Sequence, residues 1–176
     1  MRKFFTRLPL YLGIFIFGIS LLTVAFNISS STPINTTINA KTLMARLSVL
    51  SDTSAVSVNS DMNLSVGLNA DDNLKSGDII VTYDPVYTSV SESSIKAGEG
   101  FKIVKSSVDS VKGNVDVTVA PDTKDISNGF LFSFSGRALK RGETTIYIDR
   151  DMSRVDLAGG EASLEDGILS TTIDIK

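Results

Sequence analysis

The residues best suited to chemistry are three acidic side chains in one short segment, Asp149, Asp151 and Asp156. Oxygen-rich loops of this kind can hold Ca²⁺. Their spacing lacks the Asp-x-Asp-x-Asp-Gly order of a dedicated calcium loop, and Arg150 and Arg154 stand beside the acids. We therefore expect a solvated turn with local ion pairs, and we assign no calcium site, no other metal site and no cofactor.

The absence of His and Cys limits the catalytic chemistry open to this chain. It removes the commonest general base, the usual partner of a serine nucleophile and the thiolate nucleophile. A glycosidase would need two carboxylates that face one cleft, which spacing along a chain does not establish. We predict that the protein has no catalytic residues and is not an enzyme.

The charge of the chain argues against a nucleic-acid partner. From Lys41 onward there are 14 basic and 20 acidic residues, a net charge of −6. A domain of that sign repels phosphate backbones, and its basic residues do not form a stripe with interleaved aromatics. The excess of acidic residues fits a surface domain that must stay soluble.

The elements that position these residues are predicted to be β-strands. Beyond Lys41, hydrophobic and polar residues alternate in short segments separated by Gly, Asp, Asn or Pro. The apolar sets are Leu47 and Val49; Val56 and Val58; Leu64, Val66 and Leu68; Ile79, Val81 and Tyr83; Phe101, Ile103 and Val104; Val115, Val117 and Val119; and Ile146 and Ile148. Eight or nine one-sided strands without a long helix predict an all-β sandwich of two antiparallel sheets.

Aromatic residues are predicted to lie at the centre of this sandwich. Phe130, Phe132 and Phe134 share one face of an alternating segment. Each such ring removes about 150 to 250 Å² from water, so we expect all three in the core. We also expect a turn over 69–77, a loop over 96–100 and a final strand over 168–175.

The N-terminal segment has a different pattern. Leu8–Ile28 is almost wholly apolar and carries no charge. About 20 such residues in a helix span the hydrocarbon core of a bilayer. The basic residues Arg2, Lys3 and Arg7 precede the stretch, which predicts a cytoplasmic N-terminus and an exported C-terminal part.

We accordingly divide the chain into a cytoplasmic basic stub (1–7), a transmembrane signal-anchor (8–28), a flexible spacer (29–45) and a β-sandwich domain (46–176). The protein is then a single-pass membrane protein with an extracytoplasmic domain. A cleaved signal peptide is the alternative and would leave the domain secreted. We favour the anchor because the apolar run exceeds the about 7 to 15 residues of a signal peptide, and because no small-x-small pair precedes Ala40.

One short run carries a family resemblance. In Gly77–Pro85, alternating hydrophobic residues lead into Tyr83, Asp84 and Pro85, which resembles a strand and turn of cohesin domains. Later segments resemble that family in the same order, namely 129–134, 138–142, 144–148 and a closing strand that ends at 175. The resemblance covers 46–176 and implies a nine-strand jelly-roll sandwich, a fold shared with a group of carbohydrate-binding modules. Cohesins usually have an aliphatic residue where this chain has Tyr87 and Thr88, so the next strand is expected to be shifted or weakened.

The resemblance also implies a function. Cohesins bind dockerins through one exposed sheet face and thereby assemble polysaccharide-degrading enzymes on a scaffold. We expect a membrane-tethered module that docks a dockerin-bearing or other secreted or surface protein, with a role in polysaccharide degradation. Partner faces vary in residue type, so Tyr83, Asp84 and Pro85 are expected to serve the fold, and no contact residue is carried over.

Two other interpretations stay open. A carbohydrate-binding module of the same fold would lay planar aromatics against sugar rings, but the chain has no Trp and few tyrosines. Strand phase places Tyr83 in the core, which leaves Tyr87 and Tyr147 as candidate ligand contacts. An exposed line containing both would support sugar binding. The remaining interpretation is a structural adhesin or a pilus-like surface domain.

Overall fold

A computed structural model describes residues 42–122 and 125–176, and almost every regular element in this part of the chain is a β-strand. Nine strands have four or more residues: β1 (Met44–Ser51), β3 (Asp61–Ala70), β4 (Leu74–Thr82), β7 (Phe101–Asp109), β8 (Asn114–Pro121), β9 (Asn128–Ala138), β10 (Gly142–Ile148), β11 (Arg154–Leu157) and β14 (Ser170–Ile175). Five are shorter: β2 (Ala55–Val56), β5 (Thr88–Val90), β6 (Lys96–Ala97), β12 (Gly160–Glu161) and β13 (Ser163–Glu165). Glu92–Ser94 forms a 3₁₀ turn.

The strands form two sheets that enclose one apolar core, which confirms the predicted β-sandwich. The six-stranded sheet has the order β13-β1-β3-β9-β5, and β6 also pairs with β9. The eight-stranded sheet has the order β12-β11-β4-β10-β14-β2. In that sheet β8 pairs with the edge of β4 opposite to β11. β7 pairs with the far side of β8 and is the edge strand there.

Both sheets are mixed, so the prediction of purely antiparallel sheets was wrong. β13 runs parallel to β1, and β2 runs parallel to β14. A parallel pair needs a crossover of a dozen or more residues, and each of these pairs joins strands from opposite ends of the domain. Strand alternation along the sequence carries no information on direction, and therefore could not reveal these pairings.

The core is built from the predicted alternating sets. Its fully buried members include Leu47, Val49, Leu64, Val66, Leu68, Ile79, Val81, Tyr83, Val115, Val117, Val119, Ile146 and Ile148. Residues between them in each strand point outward because successive side chains of a strand alternate between its two faces. The same alternation that builds the core therefore produces the two outward sheet faces.

Phe130 is the exception, and its predicted place in the core was wrong. Phe132 and Phe134 are buried, whereas Phe130 is 57% exposed. The pairing of β9 with β3 shifts at this point: Val66 pairs with Phe132, but Gly67 pairs with Phe130. One extra residue, Leu131, is thus inserted as a β-bulge and is itself buried. An odd insertion reverses the phase of the strand, which turns Phe130 outward.

Three element boundaries also differ from the sequence prediction. The turn expected over 69–77 is confined to 71–73, because β3 extends to Ala70 and β4 begins at Leu74. The loop expected over 96–100 contains β6, and the final strand begins at Ser170 rather than at Ile168. Polar residues on outward strand faces resemble turn residues in sequence, which explains the early strand ends that we predicted.

The predicted stub, signal-anchor and most of the spacer lie outside the described residues. Within residues 42–122 and 125–176, no helix has the length and apolar character needed to cross a membrane.

Candidate functional site

The outward surface of four adjacent strands, β7, β8, β4 and β11, forms the candidate site, which we call the charged face. Cross-strand pairing places its residues in rows. The rows contain Lys105, Thr118, Asp78 and Arg154; then Ser107, Asp116 and Ile80; then Asp109, Asn114 and Thr82. The buried valines of β8 alternate with these residues, which explains why the polar side chains point outward.

Side-chain hydrogen bonds between strands order this face. The Thr118 hydroxyl donates to Asp78 Oδ1 at 2.7 Å, and the Thr82 hydroxyl donates to Asn114 Oδ1 at 3.2 Å. Each bond joins β4 to β8 and restricts both side chains. A surface that is ordered before binding loses less side-chain entropy when a partner arrives.

Charges of both signs stand next to each other on the charged face. Lys105 and Arg154 occupy the same row as Asp78, and Asp116 lies in the next row beside the half-buried Ile80. Mixed charges on an extended surface select a partner by electrostatic complementarity and speed its association. This arrangement suits recognition of a protein surface.

An irregularity in β7 affects the edge of the charged face. The register between β7 and β8 shifts between Ile103 and Lys105, so Val104 is an extra residue, and it is 62% exposed. A bulge on an edge strand hinders pairing with a strand of another chain. Contact through side chains of the charged face is therefore favoured over strand addition at this edge.

The motif Tyr83, Asp84 and Pro85 forms the turn at the end of β4. Asp84 Oδ1 accepts a hydrogen bond from the Val86 N–H at 2.8 Å. The Tyr83 N–H donates to the Gly113 carbonyl at 2.7 Å, and a Cβ at Gly113 would lie 2.0 Å from the Tyr83 carbonyl oxygen. The motif therefore joins β4 closely to the β7–β8 hairpin, a structural arrangement with no ligand-binding geometry of its own.

Two titratable groups near this turn are perturbed. Burial raises the pKa of the Tyr83 phenol, and the Asp109 carboxylate adds to the rise. A backbone hydrogen-bonding interaction with Val90 opposes this rise, but no hydrogen bond of normal geometry to the buried Tyr83 hydroxyl is found within the described residues. The pKa of Asp109 is lowered, mainly because its carboxylate accepts a hydrogen bond from the Lys112 N–H. Both shifts follow from roles in the fold.

The two tyrosines proposed as ligand contacts lie apart. The Tyr87 ring packs beside Gly142, at the start of β10, with Lys140 Nζ 5.6 Å from the ring centroid. Tyr147 is 42% exposed and lies five residues further along the same strand, which corresponds to about 17 Å. The structure therefore does not bring them into one exposed line.

The strand after the motif is short, in agreement with the expected weakening at Tyr87 and Thr88. β5 pairs with β9 over three residues. Thr88 is buried, and its hydroxyl has no hydrogen-bond partner among the described residues. A polar residue at this inward position adds less to the core than an aliphatic one would.

The acidic segment folds as a turn whose carboxylates do not converge. Asp149 Oδ1 accepts hydrogen bonds from the N–H groups of Asp151 and Met152, both at 3.1 Å. Asp156 lies on β11 and accepts a hydrogen bond from the Ser76 hydroxyl. Among residues 42–122 and 125–176, no group of three acidic side chains could hold a metal ion.

The ion pairs expected within this segment were assigned to the wrong partners. Arg150 Nη1 lies 2.8 Å from Asp166 Oδ1, on the connection between β13 and β14, and Arg150 also donates to the Leu164 carbonyl. Arg154 forms no ion pair with any residue that the structure describes. The long Arg150 side chain crosses to a neighbouring segment, a contact that adjacency in sequence does not reveal.

The charged face was not evident from the sequence. Its residues, including Asp78, Thr118 and Arg154, are the ordinary polar positions of alternating strands. The available signal was that several strands combine charged residues on their polar side, but the order of the strands was needed to combine them into one surface.

Comparisons with known proteins give a structural match only. No protein-family model matches the sequence, and no curated protein matches it. A cohesin module from a Clostridium perfringens family 33 glycoside hydrolase superimposes with a TM-score of 0.63 at 17% identity, over 77% of this chain and 98% of that module. A type II cohesin from the Acetivibrio cellulolyticus cellulosome gives 0.59 at 14% identity, over 74% and 95%.

A third solved structure contains a partner. It is a type I cohesin–dockerin complex from Clostridium thermocellum, and it matches with a TM-score of 0.55 at 17% identity, over 74% of this chain and 99% of that chain. At these identities the likeness concerns the fold. The described residues of this protein therefore have the jelly-roll sandwich fold of cohesin modules.

Proposed function

We propose that this protein is a membrane-tethered docking module whose charged face binds a secreted or surface protein, with a dockerin as the first candidate. The observation that carries the proposal is the charged face itself, where four paired strands present charges of both signs and two cross-strand hydrogen bonds order Asp78 and the neutral polar side chains between β4 and β8. The cohesin fold supports it, because a similar module is known in complex with a dockerin.

A role in polysaccharide degradation and the absence of catalysis belong to the same proposal. Similar modules come from a glycoside hydrolase and from a cellulosome, and we include the polysaccharide context in the proposal for that reason alone. The chain has no His or Cys, and its acidic segment is a turn stabilised by Asp149. The module would bring another protein's activity to the cell surface.

The membrane tether is supported by Leu8–Ile28 and by the basic residues before it. Protease added to intact cells should degrade the domain at 46–176 and spare a cytoplasmic control protein. Alkaline carbonate should leave the full chain in the membrane pellet. Release of the domain into the culture medium would favour the cleaved signal peptide instead.

Binding to a panel of dockerin modules tests the docking proposal. The full-length chain in mild detergent should capture at least one dockerin, measured by surface-based kinetics. The double variant Lys105→Glu with Arg154→Glu reverses two charges of the charged face and should weaken capture by about tenfold or more, mostly through slower association at low salt.

A matched control lies on the other sheet. Lys96 and Arg137 are exposed on the outward side of β6 and β9, so Lys96→Glu with Arg137→Glu changes the net charge equally. This control should bind as the wild type does. Equal loss of binding in both double variants would show that the charged face is not the binding surface. If the wild type captures neither a dockerin nor any secreted protein, docking is refuted.

A further inference from the structure

A groove with a glycine floor lies on the outward side of the six-stranded sheet, away from the charged face. Pairing places Ser48 beside Gly67 and Gly67 beside Phe130, across β1, β3 and β9. Leu50 and Ile168 add apolar side chains to the lining. We call this depression the glycine groove. Its volume is about 390 Å³, within the range of about 300 to 1,000 Å³ that small-molecule sites occupy.

The bulge and the glycine together make the groove. The bulge turns Phe130 outward to form a wall. A Cβ at Gly67 would lie 2.8 Å from Ser48 Oγ and 3.8 Å from Phe130 Cδ1, so a larger residue would fill the floor. An exposed aromatic ring, an interrupted ladder and a glycine within a strand all cost stability. Local features that cost stability in this way concentrate at functional sites.

Two lining residues, Arg46 and Asn69, belong to a row of planar polar side chains that continues to Asn128, just beyond the lining. Pairing places Arg46, Asn69 and Asn128 side by side on the same outward face. Arg46 Nη2 lies 2.6 Å from Glu165 Oε2, which holds the guanidinium and balances its charge. Both asparagines are exposed, and neither side chain is hydrogen-bonded to another described residue. Their amides offer donors and acceptors to a ligand at the groove.

We propose that the glycine groove binds a pyranose ring of a polysaccharide. Such a ring has an apolar C–H face, which suits Phe130, Leu50 and Ile168, and a rim of hydroxyls, which suits the amides of Asn69 and Asn128. A neutral ligand also fits a guanidinium whose charge Glu165 already balances.

An extended peptide fits the groove less well than a sugar does. β3 is hydrogen-bonded on both sides, to β1 and to β9, so its backbone cannot accept a further strand. The inference does not depend on the charged face, which lies on the other sheet. A protein partner and a polysaccharide could then be held at the same time.

Titration with defined oligosaccharides tests the proposal. The probes are hexamers of β-1,4-linked glucose, N-acetylglucosamine and xylose. The full-length chain is kept in a detergent without a sugar head group, and heat of binding is measured. At least one hexamer should bind, and Phe130→Ala should weaken its binding by about tenfold. Gly67→Ala should weaken the same binding by filling the floor.

Met152→Ala is the matched control, because it removes an exposed apolar side chain from the connection between β10 and β11, outside the groove lining. Its affinity for the hexamer should equal that of the wild type, and thermal unfolding should show that all variants fold. Dockerin capture should be unchanged in Phe130→Ala, so either proposal can fail alone. Binding of no hexamer, or equal binding by Phe130→Ala and the wild type, would overturn the sugar site.

Discussion

The outward faces of the two sheets differ in what a strand irregularity does to them. On the charged face, β4 and β8 pair in an unbroken register, so the outward residues are the polar ones that alternation predicts. On the six-stranded sheet, the bulge at Leu131 changes the phase of β9 and brings Phe130 to the surface beside Gly67. The charged face also has an inserted residue, Val104, but it lies in the edge strand β7 and leaves the pairing of β4 with β8 regular. The insertion at Leu131 lies between two interior strands, β3 and β9, and yields an apolar groove.

The largest expected effect on stability is found by comparing two phenylalanines of β9, Phe132 and Phe130. Phe132→Ala empties a fully buried site and should lower the free energy of unfolding by about 3 to 5 kcal/mol. Phe130→Ala removes an exposed ring and should lower it by no more than about 0.5 kcal/mol. Urea unfolding of the two variants measures both values. Equal losses would mean that Phe130 is packed and that the groove does not exist.

Replacement of glycine by alanine should cost more stability at Gly113, near the charged face, than at Gly67, in the glycine groove. At Gly113 φ is +75°, and an added Cβ would meet the Tyr83 backbone, so Gly113→Ala should cost about 3 kcal/mol. At Gly67 an added Cβ meets the Ser48 hydroxyl, which can rotate away, so Gly67→Ala should cost less than about 1 kcal/mol. A comparable loss at both positions would show that the groove floor cannot adapt.

Replacement of Tyr83 by Phe should stabilise the protein. The buried hydroxyl has no hydrogen-bond partner of normal geometry among the residues that the structure describes, so its removal should add about 1 kcal/mol to the free energy of unfolding at neutral pH. Burial raises the pKa of this phenol in the folded state, so the wild type loses stability as the pH rises above the unfolded value of about 10. The advantage of Tyr83→Phe should therefore grow above pH 10. A destabilised variant would reveal a hydrogen bond to this hydroxyl.

The smallest expected effect is the pH dependence of the β7–β8 hairpin, at the end of the charged face. The pKa of Asp109 is lowered in the folded state, so its ionised carboxylate contributes stability above the unfolded pKa. That contribution is lost as the pH falls below about 4. The difference in unfolding free energy between wild type and Asp109→Asn should thus shrink between pH 6 and pH 3. A constant difference would show that the lowered pKa has no role.

Much of the fold was accessible to sequence reasoning because burial of one strand face imposes a two-residue period. The inward residues of β1, β3, β4, β8 and β10 follow it, and eight of the nine longer strands coincide with predicted ones. The predicted strand at Val56 and Val58 is only the two-residue β2, and β11 was not predicted. Parallel pairing of β13 with β1 was not accessible, because the period is the same for either strand direction. The candidate contacts Tyr87 and Tyr147 were chosen by residue type, which does not say where a ring lies.

By itself, the sequence determined an all-β sandwich with a largely foreseeable core, together with an apolar N-terminal segment whose membrane role stays a prediction. Tertiary structure alone decided which polar residues share a surface, because Lys105, Thr118, Asp78 and Arg154 come from four strands brought together by pairing. It also decided the position of Phe130. A bulge is a property of two paired strands, and no single strand's pattern can contain it.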